Sequence, residues 1–200
     1  MKNIFFTTAI ALFTLTIFAC KQDPRAAYMK LEKQALATGQ RSDSLFLGFY
    51  LGMPTKEFYD LCWKLNKTAV IKEGAGNMTA QYVLDTTHMR FITNMDFYPK
   101  FADGKIYRMP IVFQYKIWNP IMKETTPDNL QLDVLKLFEK WYGKGFIKVI
   151  DPVKGRVFVK MDGNRRISIS KNALFDVDVN IVDLPAAKIL EKKGAWKDEF

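Results

Sequence analysis

The chain has 200 residues, 14% of them aromatic, and its 30 lysines and arginines against 21 acidic residues give a formal net charge of +9. This aromatic content excludes a disordered chain and predicts a packed core, in one ordinary domain or two small repeats. Because only two cysteines are present, a disulfide-rich scaffold is also excluded.

The first twenty residues have the layout of a secretory signal. Lys2 provides a short positive region, residues 4–18 form an apolar run, and the small residue Ala19 directly precedes Cys20. This run is shorter than the roughly 20 apolar residues that a membrane-spanning helix needs. The sequence therefore predicts a signal peptide over residues 1–19 and export of the chain.

The stretch Ile17-Phe18-Ala19-Cys20 resembles the lipobox of bacterial lipoproteins, with Phe18 bulkier than the family prefers. The resemblance implies that Cys20 is the lipid attachment site and the mature N-terminus. Several acyl chains on one residue anchor a protein stably in a membrane. In the family, Lys21 at the next position favours the outer membrane, at its periplasmic face or the cell surface. An uncleaved anchor and an ordinary signal peptide are the alternatives.

Export also limits the classes of partner that a positively charged protein can bind. A basic protein of the cytosol would suggest nucleic acid, but an exported one is not expected to bind it. The membrane that holds the lipid, an anionic envelope lipid and a protein partner remain, beside a merely solvated surface. With Cys20 acylated, Cys62 has no disulfide partner, and we expect it to be a buried small hydrophobe.

Residues 20–44 contain the lipidated N-terminus and a lead-in helix predicted from Asp23-Pro24 to Gly39. Residues 45–121 begin with an apolar run and then a helix, whose apolar stripe is Phe58, Leu61, Cys62 and Leu65. Strands are predicted at 69–72, 80–84, 89–98 and 106–115. Asp103-Gly104 indicates a hairpin turn, and Pro110 indicates an edge strand or a bulge.

Residues 122–186 repeat this order. A helix begins at Thr126-Pro127 and ends at Gly143, and strands are predicted at 146–150, 156–161, 165–170 and 176–182. Asp162-Gly163-Asn164 predicts a second hairpin turn, and the charged tail 187–200 is expected to be loose. The sequence thus predicts an α+β fold of two helix-then-antiparallel-strand units after an N-terminal helix.

The segment from Leu51-Gly52-Met53 to Phe58 resembles the Gly-Met-Thr helix start of the barrel-assembly accessory lipoprotein and of β-lactamase-inhibitor-protein-like domains. The resemblance implies helix-plus-sheet modules, sometimes in tandem, that bind other proteins. This chain departs from the pattern at Pro54, which replaces a Ser or Thr cap. It also lacks Gly-Met in the second unit and the cysteine pairs of the inhibitor-like domains. As a whole, the chain resembles uncharacterised lipoproteins of the Bacteroidota.

Motifs of catalysis and metal binding are absent from the sequence. The single histidine, His88, lies in the turn Asp85-Thr86-Thr87-His88 without a GxSxG elbow, and no HExxH, CxxC or EF-hand spacing occurs. We therefore expect no catalytic residue, no metal and no cofactor. An envelope hydrolase is the least favoured function.

Two groups of residues are candidates for partner binding. Lys160, Arg165 and Arg166 flank the Asp162-Gly163 turn, and Tyr115 and Trp118 precede the linker between the two units. The alternatives are a solubilising hairpin for the first group and a seam between the units for the second. The sequence predicts a lipid-anchored, non-catalytic envelope protein that binds or scaffolds a protein or envelope partner. A surface lipoprotein that binds a glycan or small ligand is the alternative.

Overall fold

The computed structural model describes residues 24–196 except Ala75, Asn77, Trp118, Pro120, Ala173 and Leu174. The predicted signal peptide, the predicted lipid attachment site Cys20 and the candidate Trp118 lie outside the described residues. The helices are α1 (Pro24–Ala37), α2 (Thr55–Lys67), α3 (Pro127–Tyr142) and α4 (Leu184–Lys192), with a 3₁₀ turn at Lys123–Thr125. The strands are β1 (Ile71–Glu73), β2 (Ala80–Leu84), β3 (Thr93–Phe97), β4 (Lys100–Ala102), β5 (Lys105–Tyr115), β6 (Ile147–Asp151), β7 (Gly155–Asp162), β8 (Arg165–Lys171) and β9 (Val177–Asp183).

The strands form one antiparallel sheet in the order β1-β2-β3-β5-β9-β8-β7-β6, and β4 pairs with β5 beside that path. The predicted α+β class is confirmed. The strands that follow α2 and those that follow α3 meet at the centre of the sheet, where β5 pairs with β9 and Met109 lies opposite Ile181. The two runs of strands therefore share a single sheet.

Local signals explain where the helices begin and end. At the start of α3, the Thr126 side chain accepts a hydrogen bond from the Asn129 N–H, and Pro127 occupies the first turn. Gly143 ends α3 with a φ of 80°. Pro54 gives α2 no side-chain cap, but Glu57 in its first turn and lysines in its last complement the helix dipole.

One face of the sheet carries the main core, which α2 and α3 cover. Phe58 of α2 and Phe138 of α3 belong to the same buried cluster as Val179 and Ile181 of β9. The apolar run before α2 fills the space between the helices. Its Phe49 ring lies 5.2 Å from Phe58 and 5.5 Å from Phe97, measured between ring centroids. This run has no regular structure, and burial of its side chains holds it in place.

The opposite face carries α1 and α4. Tyr28 of α1 packs in a second buried cluster with Val149, Val157 and Val159 of β6 and β7. Helix α4 lies against β5 and β9, and Lys188 forms an ion pair with Glu32 of α1. The prediction of a loose tail from residue 187 is wrong for residues 187–192. Leu184 and Ala187 anchor that helix because both are fully buried.

Of the two predicted alternatives for Pro110, an edge strand or a bulge, the edge strand is wrong. Strand β5 is an interior strand, with β9 on one side and β3 on the other. On the β3 side, β5 pairs with β3 over Ile111–Tyr115 and with β4 from Arg108 to Lys105. The register of the β4 pairing shifts between Lys100 and Phe101. Pro110 lies at the break between these two pairings, where a proline is tolerated inside a sheet.

A polar strap of residues 40–44 fixes the end of the lead-in segment to the β7–β8 turn. The Ser42 N–H donates to Asn164 Oδ1 at 2.6 Å, and Asn164 Nδ2 donates to Asp43 Oδ1 at 2.8 Å. Arg41 Nη2 donates to the buried Asp183 at 2.8 Å. The N-terminal helix and its connection are therefore packed parts of the body.

Candidate functional site

The predicted basic hairpin turns two of its cations inward. Lys160 and Arg165 both form ion pairs with Asp162, and each is only 7% exposed. The Arg165 guanidinium lies 4.6 Å above the Tyr142 ring and also donates to the Ser44 carbonyl. The structure thus brings Lys160 and Arg165 together around Asp162, and Arg165 also binds the polar strap.

Arg166 lies on the opposite face of the sheet, because side chains alternate along β8. It is 3% exposed, and its Nη1 donates to the Tyr28 hydroxyl of α1. Arg166 is therefore separated from Lys160 and Arg165 and holds α1 on the sheet.

Tyr115 is buried and connects β5 to α3. Its hydroxyl donates to Asp133 Oδ2 at 2.7 Å, and Arg90 Nη2 donates to the other oxygen of that carboxylate at 3.3 Å. Burial raises the pKa of Tyr115, and the hydrogen bond to Asp133 raises it further. This phenol stays protonated and joins the end of β5 to α3.

His88 forms a local turn with its neighbours. Thr87 Oγ1 and Asp85 Oδ1 lie 2.9 Å and 3.0 Å from the same ring nitrogen, Nδ1. A relay from a nucleophile to an acid needs both ring nitrogens, so this arrangement is a turn and not a triad. The Thr87 hydroxyl and then His88 lower the pKa of Asp85 to about 2. Across the described ranges, no group of three or more His, Cys, Asp or Glu side chains is placed to hold a metal.

A groove of about 590 Å³ lies between α2 and the β1–β2 end of the sheet. We call it the aromatic groove. Its floor includes Phe58 and Ile71, which are buried. Its rim includes Tyr59, Trp63 and Met78, whose exposed fractions are 50%, 65% and 74%. Exposed apolar surfaces of this kind are typical of interaction sites.

The rim aromatics lie on the outer side of α2. Tyr59 and Trp63 are four residues apart and therefore neighbours on one helix face, next to the stripe that begins with the buried Phe58. The Tyr59 and Tyr98 hydroxyls are 2.6 Å apart, and Lys67 Nζ lies 5.0 Å from the centre of the Trp63 ring. These contacts orient the rim while leaving it open to a partner.

Sequence reasoning missed this groove. The available signal was a second pair of aromatics, Tyr59 and Trp63, at helical spacing outside the core stripe of α2. Met78 could not have been assigned to the same site, because only the β1–β2 hairpin brings it opposite the helix.

Cys62 also lines the groove and is half-buried. Burial raises the pKa of its thiol to about 11, so at neutral pH it is protonated and a poor nucleophile. It packs against the main core from α2 as an apolar group.

A polar surface lies on the sheet face opposite α2 and α3. Gln81 and Asp96 of β2 and β3 point there, with a hydrogen bond of 3.0 Å between their side chains. Asp178 of β9 lies one interior strand further, beyond Val112. Burial raises the pKa of Asp178 and of its neighbour Asp176. Half-buried carboxylates thus occupy this face of an otherwise basic protein.

Comparison with known proteins finds no protein family that matches the chain, and no curated protein or solved structure that matches it significantly. Of the helices in the described part of the chain, none has both the length and the apolar character required to cross a bilayer. Neither the comparisons nor the described side chains point to a catalytic centre.

Proposed function

We propose that this chain is a lipid-anchored, non-catalytic protein of the bacterial outer membrane that binds a partner protein through the aromatic groove. Acylated Cys20 holds the body at the membrane, and the groove presents exposed aromatics to the partner. The resemblance of residues 51–58 to modules that act by binding other proteins supports the same function.

The observation that carries the proposal is the exposure of Trp63, Tyr59 and Met78 around one open groove. Trp, Tyr and Met are enriched at the centres of protein interfaces, where a few such residues supply most of the binding free energy. Charged residues line the same groove beside them, namely Asp60, Lys72 and Glu73. An apolar centre with a charged border is the usual anatomy of a protein-binding surface.

We also propose that residues 45–121 and 122–186 are two units of one architecture. In each, a helix precedes a run of antiparallel strands, and the last long strand of each run lies at the centre of the sheet. Such an arrangement places the two helices on one face of the sheet and leaves each unit with one outer edge strand, β1 or β6.

A glycan or small ligand is the second candidate. One observation favours it: Asn66, Thr79 and Glu73 supply hydrogen-bonding groups beside the aromatics in the same groove. Small-molecule sites combine an apolar lining with a few polar groups in volumes of roughly 300–1,000 Å³. A sugar ring would stack on Trp63 and bond to these polar groups.

Site-specific crosslinking in intact cells tests the proposal. A photo-reactive phenylalanine analogue replaces Met78 in the full chain, directly across the groove from α2. We expect discrete protein adducts that disappear in the Trp63→Ala variant, because the indole supplies much of the contact area. The matched control is Ile189→Ala, which removes an exposed apolar side chain from α4, 56% exposed, and should leave the adducts unchanged.

The two candidates give different products. Adducts that proteases digest to peptides of a second protein support the protein partner, whereas protease-resistant adducts that contain sugar support the glycan. Adducts that persist in Trp63→Ala would contradict the assignment of the groove as the binding site.

A further inference from the structure

The groove lies at the far edge of the sheet from the anchor. Helix α1 begins at Pro24, four residues after the proposed lipid attachment site Cys20, and its Tyr28 packs on β6 and β7. Strand β6 forms one edge of the sheet and β1 the other, seven strand spacings away, or about 34 Å. With the chain cleaved before Cys20 as proposed, residues 21–23 span at most about 10 Å and cannot reach the groove. Its occupant is a separate molecule.

Strand β1 offers hydrogen-bonding groups on its outer side at Glu73, which is exposed, whereas Ile71 is only 4% exposed. The Gly74 N–H donates to the Thr79 carbonyl at 2.9 Å, which makes Gly74 and Thr79 a hydrogen-bonded pair of the antiparallel ladder. Since such pairs alternate with non-bonded ones, Lys72 bonds to β2, while the backbone groups of Ile71 and Glu73 point away from it. Asn66 Nδ2 donates to the Ile71 carbonyl at 3.4 Å, as expected for a carbonyl that points outward.

The outer side of β1 and the groove are continuous. Ile71 and Glu73 point their side chains to the face that α2 covers, and both line the groove. In a strand added to β1, every second side chain would point to the same face. Those side chains would meet an apolar floor that includes Phe58 and Ile71, and a rim that includes Trp63.

We propose that an extended segment of the partner protein adds as a strand to the outer edge of β1 and places large apolar side chains, at alternate positions, in the aromatic groove. This inference rests on the function proposed above and specifies the kind of partner. Main-chain hydrogen bonds to Glu73, the exposed residue of β1 whose backbone groups point outward, supply part of the affinity, and the groove supplies the sequence preference. A sugar chain has no peptide backbone and cannot make this ladder.

One substitution separates the contribution of the main-chain hydrogen bonds from that of the side-chain contacts in the groove. Glu73→Pro removes an N–H that points outward and leaves the β1–β2 hydrogen bonds in place, and proline is tolerated at such edge positions. Glu73→Ala removes the same side chain but keeps the N–H, so it is the matched control. Trp63→Ala tests the groove, and Ile189→Ala again serves as its control.

The probe is a library of random peptides displayed on phage and selected on the full chain, with synthetic copies of the enriched peptides for affinity measurement. We expect enriched peptides with large apolar residues at alternate positions. Trp63→Ala should weaken their binding by about tenfold or more relative to the unaltered protein, and Glu73→Pro by about tenfold or more relative to Glu73→Ala, whereas Ile189→Ala should change it by less than about threefold.

Each other result overturns a defined part of the inference. Peptides that depend on Trp63 but bind Glu73→Pro normally would refute strand addition and leave the groove as a protein-binding site. If no enriched peptide depends on Trp63 for binding, both strand addition and the groove as a protein-binding site are refuted. If Glu73→Pro fails to fold, N-methylation of the peptide backbone at alternate positions replaces it. Unchanged affinity of every N-methylated peptide for the unaltered protein would then refute strand addition.

Discussion

The polar strap can pack against the β7–β8 turn only because Gly163 has no side chain. The residue has a φ of 56°, and a Cβ at this position would lie 2.8 Å from the Gln40 carbonyl carbon. Glycine therefore meets two requirements at once, a left-handed backbone and the close approach of another segment. The Asp162-Gly163-Asn164 turn was predicted from its residue types, but the contact with Gln40 was not.

We expect Gly163→Ala to lower the free energy of unfolding by about 3 kcal/mol, from left-handed strain plus displacement of the strap. Gly104→Ala is the matched control, because Gly104 has a φ of 71° and no atom within 4 Å of the added Cβ. That change should cost only about 1 kcal/mol. Urea denaturation measures both, and equal losses would show that the strap yields freely.

The basic residues of the second hairpin show that the charge of a side chain does not reveal whether it is exposed. Lys160, Arg165 and Arg166 look like a solvated or partner-binding group in the sequence, but they are buried. Their partners are Asp162, Tyr142 and Tyr28. Tyr28 is distant in sequence from the hairpin, so only the packing of α1 on the sheet reveals that contact.

At the scale of the element, the side chains of β9 alternate between the main core and the polar face of the sheet. Val177, Val179 and Ile181 enter the main core, while Asp178 and Asn180 point to the polar face and remain partly exposed. The sequence predicted this alternation directly. Because Asp178 is surrounded by sheet on both sides, burial raises its pKa, and the hydrogen bond from Asn172 only partly offsets that effect.

We expect Asp178→Asn to stabilise the protein at pH 7. The folded state binds the proton of Asp178 more tightly than the unfolded state does, so the ionised carboxylate costs stability above its raised pKa. That cost disappears as the pH falls from the raised pKa to below the ordinary value of 3.8. The advantage of Asp178→Asn should therefore shrink over the same interval.

Urea denaturation of both proteins between pH 7 and pH 3 measures this dependence. Asp60→Asn is the control, since Asp60 lies on the outside of α2, with its side chain 64% exposed and paired with Lys56, and we expect no stabilisation from it. A constant difference between Asp178→Asn and the unaltered protein across this pH range would contradict the assigned cause.

At the scale of the whole molecule, one sheet connects the lead-in helix to the aromatic groove. The packing of α1 on β6 and β7, and the strap on the β7–β8 turn, make the N-terminal segment part of the rigid body. An anchor at Cys20 would thus hold β6 near the membrane and place β1 at the opposite edge, where a partner can approach.

We expect Cys20→Ser to move the protein from the membrane fraction to the soluble fraction, since serine carries no thiol for acylation. Labelling cells with a fatty-acid analogue checks the chemistry, and the unaltered protein should take up the label while the variant does not. Cys62→Ser is the control and should stay in the membrane fraction. Membrane retention of an unlabelled Cys20→Ser protein would overturn the anchor.

The sequence by itself determined the local structure. Apolar periodicity and turn residues placed α2, α3 and most strands within a few residues, including β2 at Ala80–Leu84, because these signals act between neighbours along the chain. It did not indicate β4, a three-residue strand formed only by pairing with β5, or α4, which depends on Leu184 and Ala187 finding a surface to bury.

The tertiary structure alone decided which side chains meet solvent. The three hairpin cations and Tyr115 found internal partners far away in the chain, whereas Trp63 and Tyr59, which look like ordinary helix aromatics, remained exposed. Whether a side chain is buried depends on which other segments of the chain pack against it. The candidate binding surface therefore became visible only when α2 was placed against the edge of the sheet.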